Sequence, residues 1–561
     1  MSSTGVRRPI LSTGVRRPQA WLIAIGAATV VALVLRLWGI SHQSFWYDES
    51  LTVDEMHMRF TRMLTEVRLH EVTPPLYFAS AWFWTKLFGT SEAGLRSLSV
   101  IAGVLTVPAA AACAATLAGR RAAVITAALV AVHPLLIWYS QEARSYALLT
   151  LLCTLSWLFF LRAARDGGSR DLALWAVASA LALATHYFAL FLVAPELAWL
   201  VARGLRRRPV WFAALGVVAV GLVLLPFAIA RRSSGTGWIH GIALDLRLRQ
   251  IAEQFAAGFG RTPAILVASA ALVALAVAAL LAGGERPMRR AAWMALATAG
   301  AALLPALALV GLGLDYLITR NVIFALVPLV VCVAIGLAAL RARWAAAAAA
   351  VALAALGVAA TVRVDTSAAL QRPDWRVVAR ALGPDVHARA IVVAGSYRGR
   401  PVKTYLPHTG FMTQPAPAVR EIDIIGMRGP REAGCWWGAE CNLPDATPDT
   451  RPPARGFHLL SRQRAGNFTI ARFGSATPVA FDTCSATFRS GARFRGTRAV
   501  SVIVLVQRLP QARRRHAPHA RHGHVRPGHV RPARTPPARG SAHRSRFGCV
   551  TANRGPQQIG K

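Results

Sequence analysis

Short clusters of ionisable and aromatic residues punctuate a chain that is otherwise largely apolar. The first reads Ser44-Phe-Trp-Tyr-Asp48-Glu49-Ser50, followed by Asp54-Glu55 and by His70-Glu71-Val-Thr-Pro-Pro-Leu-Tyr77. Further along come Gln141-Glu142-Ala-Arg144-Ser-Tyr146, Thr185-His186-Tyr187, Asp315-Tyr316 and Arg320-Asn321. Carboxylates transfer protons, the planar fork of arginine holds anionic oxygens, and a carboxylate with an imidazole suits a metal ion. Each cluster alone has a plainer reading. Acids favour helix N-termini, an arginine at a span end can snorkel to the interface, and a histidine can be a packing residue. Their recurrence on one side of a membrane is what makes a site.

That side follows from the elements between them. Hydrophobic residues make up 54% of the 561 positions, and apolar runs recur from Trp21 to about Val362. Charge-free runs of about 18 or more residues are bilayer-crossing helices, and these lack the alternation a membrane barrel needs. The expected spans are 21–40, 94–118, 122–139, 145–161, 172–186, 187–202, 210–230, 263–282, 291–311, 321–340 and 344–363. Arg120/Arg121, Arg162/Arg165/Arg170, Arg206–Arg208, Arg289/Arg290 and Arg341/Arg343 fall in every second connection. Arginine-rich short loops stay in the cytoplasm, so the N-terminus is expected inside, with 41–93, 140–144, 231–262, 312–320 and everything after about 364 outside. The apolar stretch Pro75–Phe88 is too short to cross and follows Pro74-Pro75; it is expected to lie in the interface.

A net charge of +39 suggests nucleic acid, but the charge sits in loops and in a tail rather than on a folded basic face, which excludes that class. Cys113, Cys153 and Cys332 lie in apolar runs as packing residues. Cys435, Cys441 and Cys484 fall in the outer region, where Cys435–Cys441 is the most plausible bridge.

The combination Phe45-Trp46-Tyr47-Asp48-Glu49, Pro74-Pro75-Leu76-Tyr77, Leu87-Phe88-Gly89, Glu92 with Leu95-Arg96, and Tyr139-Ser140-Gln141-Glu142-Ala143-Arg144-Ser145-Tyr146 resembles the GT-C membrane glycosyltransferases. More narrowly, it is similar to the group holding aminoarabinose transferases, protein O-mannosyltransferases and rhizobial lipopolysaccharide core transferases. Thr185-His186-Tyr187-Phe188, and Arg320 ahead of Pro328, fit more loosely. The likeness runs over roughly residues 20–480 and is strongest before 200. It implies an all-α GT-C membrane domain of about eleven helices and an inverting transfer from a polyprenyl-phosphate sugar, with mannose or a related hexose the leading donor. The acceptor is a lipid, a glycan or a protein. Asp48 stands where the family keeps its catalytic acid, with Glu49 a second candidate or a helix-capping neighbour. Arg144, Arg320 and Tyr146 are implied at the donor phosphate, with Glu142, Tyr77 and Asp54 as further site candidates. Some relatives bind a divalent metal, for which Glu71 and His186 are the candidates. Many relatives have histidine directly before the Pro-Pro, where this chain has Thr73.

The domain plan is a basic arm (1–19), the membrane catalytic domain (20–363), a small α/β domain outside the membrane (364–485) and an Arg/His/Pro-rich tail (486–561). In the outer domain Gln371–Leu382 is expected as an amphipathic helix, and 390–394, 421–425, 457–460 and 468–473 as short strands. It is a lid or stability module, or it selects the acceptor. The tail repeats Gly-His-Val-Arg-Pro and has no acidic residue; it is expected to be disordered. The whole chain has three lysines, as a GC-rich gene would give, and a frameshifted end would produce this composition. A multi-pass plasma-membrane enzyme is the leading reading. Its rivals are a lipid-linked sugar flippase, which would carry polar residues at mid-helix and broken helices in matched halves, and an inactive sugar-lipid-binding paralogue.

Overall fold

The computed structural model describes residues 20–204, 207–231, 239–384, 387–394, 399–412, 417–427, 447–480, 494–495 and 502–508. They fall into two compact units divided between Asp374 and Trp375.

The first unit is helical. Nine of its helices are long and apolar enough to cross a bilayer: Ala20–Leu37, Glu92–Ala118, Tyr146–Asp166, Tyr187–Gly204, Arg208–Ile229, Pro263–Gly283, Arg286–Gly311, Thr319–Ala338 and Arg343–Thr366. A tenth is the bent pair Arg120–Val132 and Pro134–Ser140, which meet at 56°. Among the described residues this gives nine or ten spans against about eleven expected. The remaining expected span is the helix Ser169–Thr185, at 17 residues the short end of what crosses. The chain is a multi-pass membrane protein.

Helix association in lipid depends on close packing rather than on apolar burial alone, and the sequence supplies small residues where helices meet. Ala110, Ala114, Ala122, Ala123 and Ala127 are all fully buried. Large side chains such as Phe212, Leu215, Val223 and Val267 stay on the outside, where lipid is their solvent. The bend at Pro134 has a chemical cause. Proline has no N–H to give the Val130 carbonyl, and the Arg36 guanidinium donates instead to Val130 O at 3.3 Å and Ala131 O at 2.7 Å. Arg36 Nε also reaches Ser140 Oγ at 3.1 Å. Gly103 permits this approach, since a Cβ there would lie 2.0 Å from Ser140 Oγ.

Three short helices, Tyr47–Met56, Phe60–His70 and Leu76–Phe88, separate the first span from the second. The last has 13 residues, follows the Pro-Pro turn and leaves Phe83, Leu87 and Phe88 exposed.

The second unit is α/β. Its strands are β1 (Arg389–Ala394), β2 (Thr409–Phe411), β3 (Val419–Met427), β4 (Thr447–Pro448), β5 (His458–Ala465), β6 (Phe468–Val479), β7 (Phe494–Arg495) and β8 (Val502–Gln507). Six form one sheet in the order β2-β8-β1-β3-β6-β5, with β1 and β3 parallel. Helix Trp375–Leu382 buries Trp375, Val378 and Leu382 against Ile391, Val393, Phe468 and Ile470. All four expected strands are present, and the amphipathic helix begins four residues later than the expected Gln371.

One boundary is corrected. The tail was expected to lose order from 486, yet β8 pairs along the whole of β1 and buries Val504, Leu505 and Val506. An unbroken aliphatic run supplies a central strand whatever the composition around it. The basic arm, Cys435, Cys441, Cys484 and the chain after 508 lie outside the described residues.

Candidate active site

The helix Tyr47–Met56 starts directly after the extended residue Trp46, which places Asp48 and Glu49 in its first turn. Carboxylates are favoured there by the unpaired N–H groups. Adjacent helix positions point about 100° apart, and the two side chains enter different surroundings. Glu49 is fully buried. It receives Arg96 Nε at 2.8 Å and Arg96 Nη2 at 2.7 Å, the Ala143 N–H at 2.8 Å and Arg372 Nη1 at 3.4 Å. Burial alone would raise its pKa, but Arg96 and then Arg372 and the Ala143 amide outweigh it and hold the carboxyl below its ordinary range. Glu49 was a candidate catalytic residue. An enclosed carboxylate committed to four donors cannot reach an acceptor, so its place here is that of an anchor.

Asp48 keeps 18% of its side chain exposed, and its Oδ2 lies 3.3 Å from Arg320 Nη1, itself 22% exposed. The Arg320 guanidinium also faces the rings of Trp46 at 5.6 Å and Tyr146 at 5.8 Å. Tyr146 in turn meets the His186 ring at 6.1 Å. The sequence candidates Asp48, Arg320, Tyr146 and His186 are thus brought together from four separate stretches of chain.

Arg144 stands beside them but is differently engaged. Its two terminal nitrogens donate to Glu71 at 3.1 and 2.7 Å, and Nη1 also approaches Thr52 Oγ1 at 3.3 Å and the Asp48 carbonyl at 3.4 Å. Expected at the donor phosphate, it is buried with its fork on a carboxylate. Tyr77 is fully buried one layer behind, its hydroxyl 3.4 Å from Ser99 Oγ, which donates to the Arg144 carbonyl. Burial pushes the Tyr77 phenol up. Glu142 is buried against Arg372 with Oε1 left without a hydrogen-bond partner. Burial first, and then Glu49, push its carboxyl up against the pull of Arg372. Asp54 lies half-buried on the Asp48 helix, six residues on and so about 240° around it.

Residues 72–230 match a family model described as dolichyl-phosphate-mannose-protein mannosyltransferase. The fold is similar to ArnT from Cupriavidus metallidurans in the apo state, with a TM-score of 0.51 at 13% identity over 81% of this chain and 98% of that one. The chain has the GT-C fold of membrane glycosyltransferases. The same ArnT bound to undecaprenyl phosphate gives a TM-score of 0.48 at 14% identity, over 81% and 98%. The oligosaccharyltransferase AglB from Archaeoglobus fulgidus, in complex with an inhibitory peptide and a dolichol-phosphate, gives 0.40 at 13% identity over 65% and 58%. Comparison of the sequence with curated proteins returns no match.

Two arginines of this GT-C domain carry the site's geometry without having been assigned a role from sequence. Arg96 gathers Glu49 and the carbonyls of Ile40, Gln43 and Ser44. Arg372 lies between the Trp46 and Trp138 rings, at 4.9 and 4.5 Å, and pairs with Glu49 and Glu142. Its signal was the polar Gln-Arg-Pro-Asp stretch just after the last span, which also reads as an ordinary helix start.

The residues do not fit a divalent ion. Both oxygens of Glu71 already accept from the Arg144 guanidinium. His186 Nδ1 accepts the Phe188 N–H at 3.2 Å, and no group of three possible ligands occurs among the described residues.

Proposed function

We propose that this protein transfers a sugar, with inversion, from a polyprenyl-phosphate donor to an acceptor hydroxyl at the outer face of the plasma membrane. Asp48 is the base. The acceptor oxygen attacks the anomeric carbon as its proton passes to Asp48, and the bond from that carbon to the phosphate oxygen breaks. The acceptor hydroxyl is too weak an acid to ionise unaided, so a placed carboxylate matters. Charge then grows on the departing lipid phosphate, and Arg320 is the partly exposed cation beside it. The Arg144–Glu71 pair forms the wall that fixes the Asp48 turn. Tyr146 and Trp46 keep the Arg320 fork in place through their ring faces.

The observation that carries this reading is the contrast in access. The Asp48 carboxylate is partly open beside a partly open arginine, whereas Glu49, Glu71 and Glu142 are buried and paired. Mannose is the first donor to try, in line with the matched family model. The acceptor is a lipid, a glycan or a protein serine or threonine. The N-terminus is placed in the cytoplasm and the α/β domain outside, in line with the arginine-rich connections.

The test is to give the purified protein a panel of polyprenyl-phosphate sugars and follow free polyprenyl phosphate by mass spectrometry. Release with one donor is the expected result and names the sugar. Donor binding without release, together with movement of the intact donor across proteoliposomes, would replace this reading with a flippase.

A further inference from the structure

Arg320 is reached through a segment outside regular helix or strand. After helix Arg286–Gly311 the chain passes through Leu312–Ile318, with Gly313 at φ +77°, before the 3-10 turn Thr319–Ala325 that carries Arg320. A stretch outside regular structure takes its conformation from the groups that satisfy it. Here Asn321 Nδ2 donates locally to the Tyr316 carbonyl at 2.8 Å, and Arg247, on the separate helix Leu244–Ala257, supplies the long-range anchor.

We infer that Arg247 and Asp315 form a positioning clamp that presents Arg320 to the donor phosphate, an inference that rests on the transferase reading above. Arg247 Nη1 and Nη2 meet the two Asp315 oxygens at 2.6 Å each. Nη1 also donates to the Leu317 carbonyl at 3.1 Å, and Nε to the Ile242 carbonyl at 3.0 Å. Asp315 Oδ1 accepts the Leu317 N–H at 3.4 Å. One guanidinium thus holds a carboxylate and a carbonyl within five residues of Arg320, which only arginine's rigid fork does in a single plane. Apolar packing of Ile251 against Leu317 and Val322 reinforces the grip. On its other flank the segment places Tyr316 at 6.1 Å from the Phe188 ring, and Phe188 lies 5.4 Å from His186 in the site. The pair is 3% and 5% exposed, too buried to bind substrate itself.

The test uses the full-length chain and compares R247K, R247M and the double variant R247M/D315L. Its readouts are melting temperature, direct binding of polyprenyl monophosphate and donor titration of turnover. R247M strands a buried carboxylate and should melt well below wild type. The double variant removes both charges and should regain most of the melting temperature, because an apolar pair can replace a buried ion pair. It should still bind polyprenyl monophosphate roughly tenfold more weakly and lose kcat by about the same factor, because a displaced Arg320 stabilises the departing phosphate less. R247K, which keeps the charge but loses the fork, should fall between the two. A double variant or R247K that melts and binds the lipid phosphate like wild type would overturn the clamp alone. Wild type that binds polyprenyl phosphate without turning over any donor would leave the clamp measurable by binding and remove the transferase reading. Wild type that binds no polyprenyl phosphate would remove both.

Discussion

Asp48 and Glu49 share one helical turn, yet one faces a partly open arginine and the other is walled in by Arg96, Arg372 and the Ala143 amide. The sealed side ties together four stretches of chain: the first-loop helix, the helix Glu92–Ala118, the Gln141–Ser145 turn and the residues after the last span. The open side offers a carboxylate and a guanidinium with surface to spare. A buried ion pair contributes little net stability against an apolar alternative, but removing one partner is costly. The sealed cluster therefore specifies an arrangement, and the open pair is what that arrangement leaves available for chemistry. Neighbouring residues of the same chemical type are separated in role by packing alone.

Substitutions should split along that line. Asp48→Asn is expected to lower turnover by about 10²–10⁴-fold, the usual contribution of a placed base, without moving the melting temperature by more than a degree or two. Glu49→Gln should do the reverse, costing about 3–5 kcal/mol of stability as Arg96 and Arg372 lose their counter-charge. A pH series sharpens this. Because the folded pKa of Glu49 is depressed, its stabilisation is complete above the ordinary value of 4.5 and is lost as pH falls below it. Melting of wild type should show that acid slope, and Glu49→Gln should lack it. Arg320→Met is expected to lower kcat by roughly 10²-fold and weaken lipid-phosphate binding. A stability loss without a donor effect would move Arg320 to the sealed side. The smallest effect should come from a metal chelator. Since Arg144 occupies Glu71, turnover should be unchanged, and loss of activity restored by a divalent ion would reopen that site.

The apolar runs and their arginine-marked connections made the helical domain legible, because bilayer length and backbone satisfaction constrain it strongly. Of the residues the motifs singled out, Asp48, Arg320, Tyr146 and His186 come together in the fold, with Arg144 beside them. Division of labour was not legible. Glu49 meets Arg96, 47 residues away, and Arg372, 323 residues away, and no local pattern announces such partners. Arg247 was hidden for the same reason, in the helix Leu244–Ala257, which carries no motif. The expected eleventh span, the helix Ser169–Thr185, has 17 residues and is not among the nine or ten long enough to cross. The last strand was a different failure: the run Val502–Val506 was visible, but the arginines and glycines around it set the expectation for the whole tail. A sheet needs only a short run of the right residues, and composition averaged over a long window erases it.

The most direct measurement takes wild type, Asp48→Asn and Glu49→Gln from parallel preparations and records polyprenyl-phosphate release and melting temperature for each. The account predicts that Asp48→Asn melts like wild type and releases almost nothing, while Glu49→Gln melts far lower and, at temperatures where it stays folded, retains measurable release. Turnover by Asp48→Asn at the wild-type rate, or a fully stable Glu49→Gln that has lost all turnover, would contradict it.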